Sequence, residues 1–202
     1  MVTAETPPEL TEKGAQTRAE ILEVAIERFG RDGFRATSVA DIARDADVSG
    51  TLAYAYFDNK KDLFLSALDR DVADLIESGV SSMLETPGDD AWRTTLIFTL
   101  VESLDRHPLA RRILAGKEPD VIERVVELPA LEDLKVAVTE RIRADQAAGL
   151  IRADIDPVPI GGGVVNIFVA MLLAAVQFGK NEIAHRGLDV LAVVAAAVDP
   201  ID

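Results

Sequence analysis

Residues Phe34 to Leu63 read FRATSVADIARDADVSGTLAYAYFDNKKDL, and the spacing within this stretch decides the fold class. Ser38 stands three residues before Asp41, a capping-box-like pair that starts a short helix carrying Val39, Ile42, Ala43 and Ala46. Val48 and Ser49 open a second short helix. Asn59, three residues before Asp62, starts a long one. Two short helices joined by a tight turn need a small residue where they cross, and Ala43 supplies it. Val39, Ile42, Val48 and either Leu52 or Ala53 are the candidate core of the pair. Asp47 falls in the turn, where a left-handed backbone is wanted and Asp is one of the few non-glycine residues that adopts it without severe strain. Ser49-Gly50-Thr51 gives the second helix a side-chain cap, a residue without Cβ and a hydroxyl. Such a terminus approaches a phosphate closely and offers it backbone N–H groups.

Apolar residues recur at helical spacing on both sides of this stretch, while period-2 alternation is absent, so the chain is expected to be all-α. Upstream, Leu22, Ala25, Ile26 and Phe29 mark a helix from Thr17 to about Gly30, ended by Gly30 and Gly33. Downstream, the long helix carries Leu63, Leu68, Val72, Leu75, Ile76 and Met83 toward Leu84 and breaks at Thr86 to Asp90. Further helices are expected at about Ala91 to Arg106, Leu109 to Ala115, Leu131 to Ala148, Ile160 to Phe178 and Ala184 to Val198, with a turn of helix in Val121 to Leu128. This divides the chain into a flexible arm over residues 1–16, a three-helix unit carrying a helix-turn-helix over 17–62, and a larger helical domain over 63–202. The Thr/Glu/Pro-rich start is read as an arm because it lacks the basic head and apolar core of a secretion signal.

Composition bounds the chemistry. The 202 residues are 49% hydrophobic and 28% charged, ordinary for a folded globular chain. There is no cysteine, so thiol catalysis and cysteine-ligated zinc are excluded; the composition is compatible with a cytoplasmic protein. No HExxH, GxSxG or phosphate-loop pattern occurs, the histidines are His107 and His185 alone, and Gly161 to Gly163 follow no strand. An enzyme is therefore not expected, and neither a cofactor nor a metal is implied. His107, ahead of Pro108, reads as a helix-end residue. The net charge of −14 argues against a nucleic-acid partner on its face. Residues 1–65 hold eight Lys/Arg against twelve Asp/Glu, and the remainder thirteen against twenty-three, so the acidity concentrates away from the helix-turn-helix. DNA binding depends on which groups face the phosphates rather than on the total.

The run Ile160 to Val176 is apolar except for Asn166, close to the ~18 residues that suggest a membrane span. Gly161 to Gly163, Asn166 and the much shorter apolar partner Leu188 to Val198 favour instead a helix pair that packs on its own subunit and on a second one. Two such pairs make a four-helix bundle, an isologous homodimer interface without a membrane.

The helix-turn-helix residues resemble the tetracycline-repressor (TetR) family of bacterial regulators. The resemblance rests on Thr37-Ser38, Ile42-Ala43, Val48-Ser49, Tyr54-Ala55-Tyr56-Phe57 and Lys60-Lys61-Asp62-Leu63 at the family's spacing, strongly over about residues 17–65. A weaker echo runs from Gly149-Leu150-Ile151-Arg152 to Asp156-Pro157. It implies a dimeric transcriptional repressor released from a double-stranded DNA operator by a small hydrophobic effector. By resemblance, Thr37 or Ser38, Ser49, Tyr54, Tyr56 and Lys60 are phosphate contacts or helix positioners. The chain departs from the family at Gly50, Thr51, Leu52 and Ala55, so base readout leans on Thr51, Leu52, Ala55 and Arg44, with apolar contact to thymine methyls. Leu75, Met83, Trp92, Phe98, Val101, Phe168, Met171 and Leu172 are the expected effector site, plain packed core being the alternative for any one of them. Charged residues are expected to be absent from these inner faces. The competing function is a helical protein-binding adaptor without DNA binding, separated from a repressor by salt-dependent binding to duplex DNA.

Overall fold

The computed structural model describes residues 11–86, 91–119 and 128–200, with the side chains of 182–186 excepted, and these are helical with no strand among them. The chain runs α1 (Glu12–Ala36), α2 (Val39–Asp45), α3 (Gly50–Tyr56), α4 (Lys60–Glu85), α5 (Ala91–Ser103) with a 3₁₀ turn at Leu104–Arg106, α6 (Pro108–Leu114), α7 (Pro129–Ala147), α8 (Pro157–Phe178) and α9 (Lys180–Val198). Helix α1 starts five residues before the expected Thr17 because the Thr11 hydroxyl accepts the Gly14 N–H at 3.0 Å. Of the expected arm, residues 1–10 lie outside the described residues, as does most of the turn expected at 121–128. Gly30 does not end α1. The interruption is at Gly33, with φ +84°, and the helix resumes to Ala36. Helix α8 begins at Pro157, ahead of the expected Ile160, since the Asp156 carboxylate accepts the Val158 N–H and a proline suits the first helical position.

Two cores are stacked along α4. The first gathers Ile21, Leu22, Ala25, Ile26 and Phe29 of α1, Val39, Ile42 and Ala43 of α2, Ala53 of α3, and Leu63, Phe64, Ala67 and Leu68 of α4. Phe29 and Phe34 each meet Phe64 edge-on, with ring centroids 5.0 and 5.2 Å apart. This core does not stop at residue 62: it continues along α4 and takes in Leu109 and Ile113 of α6. The second core lies among the remaining length of α4 and α5, α7, α8 and α9, around Leu75, Met83, Trp92, Leu96, Val138, Phe168 and Met171. Helix α8 is long and apolar enough to cross a membrane, yet one side of it, Val164, Val165, Phe168, Met171, Leu172 and Ala175, is buried in this core. Gly161 belongs to the same side and touches Thr139 of α7 so closely that a Cβ has no room. Among the described residues, no atom beyond the helix's own backbone and the adjoining residues lies within 4 Å of a Cβ built on Gly162 or Gly163.

Helix α6 joins the cores. A Cβ on Gly30 would stand 2.6 Å from Pro108 Cβ and 2.9 Å from its carbonyl carbon, so backbone meets backbone there and neither helix has a flexible end to move aside. Gly30→Ala is expected to destabilise the fold by roughly 1–3 kcal/mol through overpacking, read as a lower urea midpoint; an unchanged midpoint would show that α6 does not bear on α1.

Candidate nucleic-acid interface and apolar cavity

The helix-turn-helix forms as its sequence spacing implies. The Ser38 hydroxyl accepts the Asp41 N–H at 3.1 Å and donates to Asp41 Oδ2 at 2.6 Å, while Arg44 donates to Asp41 Oδ1 at 2.6 Å. The Ser38 hydrogen bond, then that from Arg44, holds the Asp41 carboxyl below the usual carboxylate range. Asp47 turns the chain with φ +54°, the left-handed conformation expected of it, and Val48 N–H closes the turn on Ala43 C=O at 2.9 Å. Ser49 caps α3 by accepting the Leu52 N–H at 3.1 Å.

Only one side of α3 enters the core. Ala53 is fully buried and Phe57, just past the helix, is 2% exposed, with the Arg18 guanidinium 5.1 Å from the Phe57 ring centroid. Of the two candidates for the small core, Ala53 takes the place and Leu52 is exposed. Thr51, Leu52, Tyr54 and Ala55 are all exposed, Tyr56 is half-buried, and a Cβ on Gly50 would meet nothing within 4 Å. Thr37 leaves the set of expected contacts. It is 2% exposed and its hydroxyl donates to Gly33 C=O at 2.8 Å, so it closes the end of α1 instead. Lys60 is half-buried; its Nζ donates to Thr37 C=O at 2.8 Å and lies 4.4 Å from the Phe34 ring centroid. Because an ammonium has three donors, this positions Lys60 beside α3 without using all of them. Arg44 is held between Asp41 and Asp45, and Arg28 pairs with Asp45 at 2.6 Å.

Where the two cores meet, Leu68, Val72 and Ile76 of α4, Leu100 of α5, Ala110, Ile113 and Leu114 of α6, Leu131 and Leu134 of α7 and Phe168, Val169 and Leu172 of α8, with Leu128, line a cavity of about 50 Å³. Of the expected effector residues, Phe168 and Leu172 line it. Leu75, Val101 and Met171 are buried in the surrounding core, with Phe98 partly buried against it. Met83 and Trp92 stand at the far end of α4 in a polar clamp. There Trp92 Nε1 donates to Asp145 Oδ2 at 2.9 Å, Arg141 Nε donates to Asp145 Oδ1 at 3.1 Å, and Arg141 Nη1 donates to the carbonyls of Met83 and Thr86 at 2.8 and 3.3 Å. The inner faces are thus not free of charge: Asp71, Arg93 and Asp145 are each at most 6% exposed. They are tolerated because each is paired, Arg93 with Asp199 at 3.1 Å.

Periodicity gave no sight of the groups that join cavity and helix-turn-helix. Asp71 Oδ1 lies 2.9 Å from His107 Nδ1, and Oδ2 accepts the Ala110 N–H at 2.8 Å, so one buried carboxylate of α4 holds the first turn of α6. At the other end of α6, Arg112 Nε donates to Glu118 Oε1 at 2.7 Å, and the same oxygen accepts the Phe34 N–H at 3.1 Å beside the Gly33 kink. The available signals were an acid three residues after Leu68 on an apolar stripe and a His-Pro pair at a helix start.

Residues 21–67 match the family model described as bacterial regulatory proteins, tetR family. The chain is 32% identical over 98 residues, 48% of its length, to the HTH-type transcriptional repressor SCO4008 of Streptomyces coelicolor, and the match spans about half of that relative, 47%. Its fold is similar to that of a TetR-family transcriptional regulator from Pectobacterium atrosepticum, with TM-score 0.71 and 19% identity over 90% of this chain and 95% of that one. It is similar also to the SmeT–triclosan complex, with TM-score 0.60 and 17% identity over 92% of each chain.

No packing demand explains Gly50. Gly50→Ala is expected to stabilise the fold by about 0.4–1 kcal/mol, through lower unfolded-state entropy, while weakening binding to duplex DNA. Denaturation and fluorescence anisotropy read the two effects separately, and stabilisation with unaltered DNA affinity would remove Gly50 from the interface.

Proposed function

We propose that this chain, whose residues 21–67 match the model of the tetR family of bacterial regulatory proteins, acts in the cytoplasm as a homodimeric repressor of that kind, released from a two-fold operator by a small apolar effector. One observation carries the DNA-binding part: α3 is held by a single buried side, and its exposed residues include positions where nothing inside the protein needs a glycine or an aromatic. Ser38, Ser49, Tyr54, Tyr56 and Lys60 border this surface and serve as backbone contacts, while Thr51, Leu52 and Ala55 face the bases.

The outer face of α8 and α9 supports the homodimer reading. Val158, Leu173, Phe178, Leu188 and Val193 are exposed, between 38% and 72%, on two consecutive helices, and the small residues Gly162, Gly163, Ala170, Ala192 and Ala196 let a second pair approach closely. An apolar face of this kind is a contact surface rather than a wet one. A duplex selected from a random-sequence pool by the full chain is expected to carry an inverted repeat, with half-sites about one helical turn, ~34–36 Å, apart. Light scattering is expected to show a dimer at micromolar concentration. A stable monomer removes the symmetry argument, and enrichment of no sequence leaves the protein-binding adaptor.

The effector reading rests on the cavity. At about 50 Å³ it is far below the ~300–1,000 Å³ of ligand sites, so an apolar ligand must push its walls apart. SmeT, a chain of similar fold, forms a complex with triclosan, which supports a small-molecule effector here. The walls include α4 and α6, and α6 bears on α1 through Pro108, Arg112 and Glu118. Displacing α6 therefore moves the end of α1 from which α2 is suspended. A coupling of ~1–3 kcal/mol suffices to relieve repression, and it is reciprocal: operator DNA is expected to weaken effector binding by the factor by which effector weakens DNA binding. Arg112→Gln is expected to reduce that factor while leaving effector affinity for the free protein unaltered. Equal effector affinity for free and operator-bound wild-type protein would end this mechanism.

A further inference from the structure

We propose that α3 selects its operator through the 5-methyl groups of thymine, read by the methyl groups of Thr51 and Ala55; this rests on the DNA-binding reading above. Bidentate recognition of purines in the major groove uses Arg or Lys on guanine and Asn or Gln on adenine. Helix α3, Gly50–Tyr56, contains none of these and no acid. The cation nearest in sequence before it, Arg44, is fastened to Asp41 at 2.6 Å, and the one after it, Lys60, reaches back to Thr37 C=O. What α3 does present is geometric. Ala53 marks the buried side, and Thr51 and Ala55, four residues apart, stand one above the other on the opposite side, with Leu52 and Tyr54 flanking them. The centre of the exposed face is therefore two small methyl-bearing side chains and one hydroxyl, and the larger residues are displaced to its edges.

Such a face is sterically suited to close approach and chemically suited to methyl groups. In the major groove the thymine 5-methyl is the apolar feature that distinguishes its base pair, and alanine and threonine methyls are among the groups that contact it. Helical spacing places the two methyls one turn apart, ~5.4 Å, within reach of neighbouring base pairs. Discrimination then comes from burying methyl on methyl rather than from charge-assisted hydrogen bonds. This fits a helix-turn-helix whose Arg28 and Arg44 are paired with its own carboxylates.

The test uses the full chain and the duplex it selects from a random-sequence pool. Each thymine is replaced in turn by deoxyuridine, which deletes the methyl and leaves base pairing intact. One or two adjacent thymines per half-site are expected to lose about fourfold in affinity on replacement, the factor for withdrawing one methyl-sized apolar contact. Thr51→Ser keeps the hydroxyl and the helix cap but removes the methyl. It is expected to bind thymine and deoxyuridine duplexes alike at one of those positions, and Ala55→Gly to do the same at the other. A selected duplex whose affinity is unaffected by deoxyuridine at every position overturns the inference while leaving the repressor reading standing. Enrichment of no duplex at all overturns both.

Discussion

Both oxygens of the Asp71 carboxylate are committed in the interior, one to His107 and one to the backbone N–H of Ala110. The relation of the two halves of the molecule depends on this fastening. A buried carboxylate is stable only when it is fully hydrogen-bonded, and here the bonds come from a different helix, so α4 and α6 cannot part without exposing an uncompensated charge. With its first turn held, α6 has one position. That position sets Pro108 against Gly30 and aims Arg112 and Glu118 at the kink at Gly33. The orientation of the helix-turn-helix relative to the second core is transmitted through these contacts as well as along α4.

Helix α4 is restrained at three levels. Its start is capped by Asn59 and packed into the first core, its middle carries Asp71, and its end is gripped by Arg141 on the carbonyls of Met83 and Thr86. The apolar cavity lies against Leu68, Val72 and Ile76, on either side of Asp71. Polar groups at the two restraints and aliphatic groups between them divide the interior into fixed and deformable parts.

Under the proposed DNA-binding role, this acidic chain places the attraction for phosphate in a small number of groups. Helix α3 carries no charge, and Arg28 of α1 and Arg44 of α2 are paired with Asp45 and Asp41. Counterion release scales with the phosphates neutralised, so in that role the surface would depend on fit to the groove more than on electrostatic pull.

The order and type of the helices, the cap residues Ser38, Ser49 and Asn59, and the left-handed turn at Asp47 were legible in the sequence because each depends on residues within four positions of one another. The exposed side of α3 was legible only up to the choice between Leu52 and Ala53 as its buried point, which the packing decides for Ala53. What local spacing does not contain is which distant group a side chain meets. Thr37 reads as a helix-start hydroxyl, yet it faces inward to Gly33 C=O. Trp92 and Met83 read as cavity walls, yet they belong to the clamp around Asp145 and Arg141. Of the effector residues expected on α8, Phe168 and Leu172 line the cavity, where one helix face points at it, and the α6 and α7 walls were not foreseen because helical periodicity marks a buried face without saying against what. Asp71, buried on an apolar stripe, was the point at which local reasoning had to fail: its partners come from a helix that starts thirty-seven residues later, and only the packing of α4 on α6 brings a carboxylate, an imidazole and a backbone N–H within hydrogen-bonding distance.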